Sequence, residues 1–172
     1  MQVFFELRST GFIEHGRTSF AWTRFDGNCL SRDYDMLAAI EAIVSVRCEF
    51  LDLHPIMHSL EMRAALVGDF ASGRDALNVC FHAQHLFLTL VAAMQAGELF
   101  REYTTLAKPS LAYASCSRIN SESIQQIAET ANTLVGQLKV NDGIGAARAV
   151  TNLRSLQAPR TGFAIASIPL AH

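Results

Sequence analysis

The sequence has few of the features that mark catalysis or metal binding. Its cysteines, Cys29, Cys48, Cys80 and Cys116, stand far apart and form no Cys-x-x-Cys pair. Structural zinc sites need close ligand pairs, so a zinc-built fold is not expected. Cys48 and Cys80 fall on apolar helical stripes and read as reduced core residues, which points to a reducing, cytoplasmic setting. The sequence has neither a Gly-x-Ser-x-Gly elbow nor a glycine-rich phosphate loop. Asn141-Asp142-Gly143-Ile144-Gly145 has two glycines, but no strand pattern precedes it, and it reads as a turn. The longest apolar run, Leu86 to Ala96, is interrupted by Thr89 and Gln95 and is too short to span a bilayer. Glu6 and Arg8 spoil the opening stretch as a signal peptide. Charge is also scarce: only 17% of residues are charged and the net charge is -2. That gives no general attraction to nucleic acid or to an anionic membrane.

What the chain does have is apolar residues, at 50%. They are enough to fill a core and to exclude a disordered chain. Residues 1–32 are the exception, being rich in Phe, Thr, Arg and Gly. Phe12-Ile13-Glu14-His15 and Ser19-Phe20-Ala21-Trp22-Thr23 flank a Gly16-Arg17 turn, which predicts a β-hairpin. Arg17 at its tip is a weak candidate for touching a DNA phosphate. Asp26-Gly27-Asn28 reads as a break.

From Asp33 the periodicity is helical. Leu37, Ile40, Val44, Cys48 and Leu51 make one stripe, and Ala39, Ile43, Val46 and Phe50 a second, so this helix should be covered on two sides. Pro55 starts the next helix, and Gly68-Asp69 reads as a turn. A long apolar helix is expected from Ser72 to Gln95 with Gly97 as its C-terminal cap. Another runs from Glu98 until Pro109 kinks or restarts it. Ile124, Ile127, Ala128, Ala131, Leu134, Val135 and Leu138 define the clearest helix, capped by Asn120 or Ser121. Ala146, Val150, Leu153 and Leu156 stripe the last one. The expectation is a mainly α protein: an antiparallel bundle of about six helices over residues 33–157, after a hairpin region (1–32) and before an apolar tail (158–172).

Bundles place ligand sites between facing helices. Asn78, His82, His85 and Thr89 lie i, i+4, i+7 and i+11 along the most apolar helix. A polar line buried there costs free energy unless it meets partners or a ligand. The row is therefore read as one wall of an inward pocket, against the alternatives of a solvent-facing line or satisfied core histidines. His82 is half of a metal site at best, because no later histidine occurs before His172, apart from His85.

Several stretches, taken in order, resemble the FadR-type branch of the GntR transcription regulators. Leu7-Arg8-Ser9-Thr10-Gly11-Phe12-Ile13-Glu14 resembles the start of the wing of their winged helix-turn-helix, and Ser19-Phe20-Ala21-Trp22 its returning strand. Tyr34-Asp35-Met36-Leu37-Ala38-Ala39-Ile40-Glu41 resembles the opening helix of their effector-binding (FCD) domain. Gly68-Asp69-Phe70 with Asn78-Val79-Cys80-Phe81-His82, then Leu138-Lys139-Val140-Asn141-Asp142 with Ala146-Ala147-Arg148, extend the likeness to about residues 7–156.

The resemblance implies a ligand-sensing and dimerising domain, not an enzyme. It also implies a hairpin that is the remnant of a truncated DNA-binding unit, so specific DNA binding is not expected. The implied partners are a small-molecule effector and a second copy of the chain, with no membrane. The family's metal ligands are an Asp and three His. Here Asn78 replaces the Asp and His82 alone survives; the other two positions fall near Ala131 or Asn132 and near Asn152 or Arg154. No metal or other cofactor is therefore expected. The opening-helix arginine falls at Leu37, with Arg101 as a replacement cation. The expected effector contacts are Asn78, His82, His85, Thr89, Arg101 and Asn132. Two other readings are a helical interaction protein that pairs with a full-length regulator or another partner, and an enzyme built on His82 or His85.

Overall fold

In the computed structural model, residues 13–15, 20–22, 27–116 and 119–157 are described, with side chains for 29–110 and 119–157. Strands β1 (Ile13–His15) and β2 (Phe20–Trp22) pair antiparallel, with Ile13 opposite Trp22 and His15 opposite Phe20. Arg17 and the 158–172 tail lie outside the described residues.

The rest is helical. In chain order the helices are α1 (Gly27–Arg47), with a 3-10 turn at Cys48–Phe50, α2 (His54–Ser72), α3 (Ala76–Ala93), α4 (Gly97–Cys116), α5 (Ser121–Lys139) and α6 (Gly143–Gln157). Their contacts close a ring in the order α1, α6, α5, α2, α3, α4 and back to α1, and α3 also touches α1 and α5 across it. α3 is by length and composition apolar enough to cross a membrane. Its contacts with four other helices give that apolar surface a place inside the bundle.

Local chemistry explains the helix starts. Pro55 sits in the first turn of α2, where its missing N–H costs nothing. Asp75 caps α3 by accepting from the Asn78 backbone N–H at 3.1 Å. Asn120 caps α5 through Ser123 N–H at 2.7 Å, as its sequence position predicts. The seven apolar residues expected to line the inner face of α5 are all buried there.

The helix ends correct several expectations. Gly27-Asn28 is no break, because α1 already includes both residues; Asp26 lies outside the described residues. Gly68-Asp69 is no turn: α2 runs through it to Ser72, and the chain reverses at Arg74, whose φ is 58°. Nor does Gly97 end α3. Met94 is the cap, Gln95 takes the left-handed conformation (φ 53°), and Gly97 opens α4. α4 runs through Pro109, so the helix does not restart there. At each site the left-handed residue was sought in glycine, but arginine and glutamine carry it.

Gly143 is a glycine that packing requires. A Cβ there would lie 2.8 Å from the Val46 carbonyl oxygen and 2.9 Å from that of Ser45. The Gly143 N–H donates to Glu49 Oε1 at 3.1 Å, which pins the start of α6 onto the end of α1. Farther along, Arg154 meets Glu41. The two helices therefore run antiparallel.

Candidate functional site

The α3 face that turns inward carries Val79, Cys80, Ala83, Leu86, Phe87, Leu90 and, among them, Gln84. The Asn78–His82–His85–Thr89 row lies beside that face and is only half-buried. The expectation that this row faces a hollow is thus corrected. Asn78 is engaged with the cap, its side-chain amide donating to Asp75 Oδ2 at 2.6 Å. Thr89 donates back to the His85 carbonyl at 2.9 Å.

His82 looks toward α2. Its ring stacks on Phe70, with centroids 5.2 Å apart and planes 6° from parallel, and its Nδ1 accepts from the Arg63 guanidinium at 3.1 Å. Since arginine only donates, Nδ1 is unprotonated and the ring is neutral. Desolvation, then the Arg63 charge, holds His82 below the usual histidine value. The same two causes lower His85, whose ring leans on Phe81 at 4.3 Å. Arg101 and Asn132 are exposed on α4 and α5, and among the described residues no hydrogen bond or ring contact joins either to the row. Nor do three His, Cys, Asp or Glu side chains converge there to hold a metal ion.

The centre of the bundle is polar for a different reason. Glu41 on α1, Gln84 on α3, Tyr103 on α4, and Arg154 and Gln157 on α6 are all buried and bonded to one another. Arg154 presents one guanidinium edge to Glu41: Nε donates to Oε2 at 2.7 Å and Nη2 to Oε1. Nη2 also reaches Gln84 Oε1 at 2.9 Å, and Nη1 donates to Gln157 Oε1 at 3.0 Å. Tyr103 donates its hydroxyl to Glu41 Oε1 and accepts from Gln84 Nε2, each at 2.5 Å. The guanidinium carbon lies 5.1 Å from the Phe87 ring centroid and 6.0 Å from that of Tyr34. Among the described residues, no buried side-chain nitrogen or oxygen lacks a partner.

Burial, with the Glu41 charge adding to it, pushes the Tyr103 hydroxyl well above the usual tyrosine value. Cys80 beside this centre is pushed up to about 12 by burial, and Cys48 to about 11, so neither thiol is poised as a nucleophile.

Sequence reading passed over these residues. The signal was present: Glu41 interrupts the Leu37–Val44 stripe and Arg154 follows Leu153 into the stripe of α6. The position near Asn152 or Arg154, where the resemblance placed a last metal ligand, thus carries a guanidinium paired with the protein's own carboxylate.

A surface groove of about 550 Å³ runs between α1 and α6 and is lined by Val46, Ile144, Ala147, Arg148 and Asn152 among others. Apolar side chains stand out of the protein around it. Ile43 is 60% and Phe50 83% exposed, and Val140 and Ile144 are also exposed. Ala39, Ile43, Val46 and Phe50 are the second stripe read from the sequence, and Met36, also exposed, extends its 3-4 spacing along α1.

The fold is of the kind that forms the C-terminal domain of GntR-type regulators. Among solved structures the chain is similar to E. coli McbR/YncC, a GntR-family regulator. The TM-score is 0.70, at 13% identity, over 90% of this chain and 78% of that one. At that identity the likeness is one of fold. No family model and no curated protein matches the chain.

Proposed function

We propose that this chain is a regulator's effector-type helical domain that works by pairing with a second copy through the outer faces of α1 and α6. The observation that carries the reading is the uncovered apolar stripe of Ile43, Val46 and Phe50 beside Ile144. Contiguous apolar surface on a soluble bundle marks an interaction face, and 3-4 spacing suits a helical partner. The regulator-like fold supports the same reading.

Effector contact falls, in this reading, on the half-buried flank of Asn78, His82, His85 and Thr89, where the Arg63 guanidinium suits a small anion. No catalytic role is assigned: His82 meets a guanidinium, not a nucleophile or a carboxylate.

Sedimentation velocity of the intact chain tests the pairing. The expected result is a dimer that Ile43→Asp and Phe50→Ser each shift toward monomer, with helical circular dichroism unchanged. A wild-type chain that stays monomeric at tens of micromolar, or a dimer indifferent to both substitutions, would overturn it.

A further inference from the structure

We propose that the centre of the bundle is a carboxylate-binding site whose occupant is the chain's own Glu41. The site has the parts that recognise a free carboxylate. A guanidinium edge meets both oxygens, a tyrosine hydroxyl donates to one of them, and aromatic rings flank the cation. The receptor groups come from α3, α4 and α6, while the carboxylate arrives from α1 at the end of a two-methylene tether. Gln84 and Gln157 take up guanidinium N–H groups that the carboxylate does not reach, so the receptor is complete around one anion.

Stability does not require such a centre. Replacing a buried ion pair with apolar side chains of similar volume is often neutral or stabilising. What the arrangement does provide is a fixed position for one anion. Being tethered, that anion is present at an effective concentration no free metabolite reaches. The receptor is therefore always filled, and the helix arrangement it holds needs no free acid. That consequence for regulation rests on the regulator reading above; the binding claim rests on the geometry alone.

Chemical complementation tests the claim. Glu41→Ala removes the atoms of an acetate ion, and Glu41→Gly removes those of propionate. Thermal melts of the intact chain are compared in sodium acetate, sodium propionate and sodium chloride at equal ionic strength. The expected result is a lowered midpoint for Glu41→Ala, raised saturably by acetate by roughly 5–10 °C. Glu41→Gly should favour propionate, and the wild type should respond to neither. Adding Arg154→Met to Glu41→Ala should abolish the response.

A folded Glu41→Ala that melts alike in acetate and chloride overturns the proposal, and so does a response that survives Arg154→Met. If Glu41→Ala is unfolded in chloride, refolding in acetate decides. Recovery of the helical signal in acetate supports the site, and no recovery in any small carboxylate overturns it. All melts are run at one protein concentration, so a change in pairing alone gives no acetate response that Arg154→Met abolishes, and sedimentation tests the pairing reading separately.

Discussion

Arg154 and Glu41 lie 113 residues apart in the chain and share a two-point contact inside a bundle that admits neither to solvent. The pair holds α1 against the last turn of α6, as Val46 and Gly143 bring α1 against its start.

Arg154→Met should be strongly destabilising, because it leaves the Glu41 carboxylate buried and unpaired. The expected loss is about 3–5 kcal/mol in urea denaturation. Replacing both partners with apolar residues should restore much of it. By contrast, the ion pair of Lys139 with Glu61 is solvated on both sides. Lys139→Ala should leave the unfolding midpoint within experimental error. Equal effects for the two single substitutions would contradict this account of the core.

Gly143→Ala should cost about 1–3 kcal/mol, since its methyl group meets two backbone carbonyls that cannot swing aside. Denaturant unfolding with an unchanged m-value would show the cost as stability; a near-neutral result would mean that α6 slides freely on α1.

Gln95→Gly should stabilise the chain by about 0.5–1 kcal/mol. The residue holds φ at 53° at the end of α3, a conformation that suits glycine better. A fall in the melting midpoint would refute the assigned turn.

Stability should fall as the solution is acidified past neutrality. His82 and His85 are held below their ordinary value of 6.5 by desolvation and by Arg63. Below that value the unfolded chain binds protons that the folded chain refuses, so stability rises with pH. It is whole above about 6.5 and is lost as the pH falls toward the lower folded value. Chemical denaturation at about pH 7.5 and about pH 5.5 measures the drop. Joint substitution of both histidines by glutamine should flatten it, and Arg63→Gln should reduce it.

Much of this fold was legible because periodicity reports burial directly. The inner face of α5 and its Asn120 cap could be read residue by residue. The turns could not, because a left-handed residue after a helix need not be glycine, and Arg74 and Gln95 carry no local mark. The second stripe of α1 was legible as apolar but not as uncovered, because sequence spacing cannot tell a neighbouring helix from a partner molecule. The polar centre was missed for another reason. Glu41, Gln84, Tyr103 and Arg154 sit one to a helix, so no local window holds more than one of them. The histidine row drew attention because it is local, and it lies on the flank of its helix for the same 3.6-residue geometry that turns Gln84 inward.

The ring of helices has a consequence for biosynthesis. Synthesis delivers α1 first and α6 last, yet each needs the other for its inner surface. Until Arg154 has been made, Glu41 lacks the counter-charge that offsets the cost of burying it. A bundle without α6 leaves the Glu41 carboxylate without its guanidinium, so α6 completes both the ring and the ion pair. Closure through contacts this far apart in sequence is slow, and it makes the docking of α6 the step at which this bundle commits to its shape.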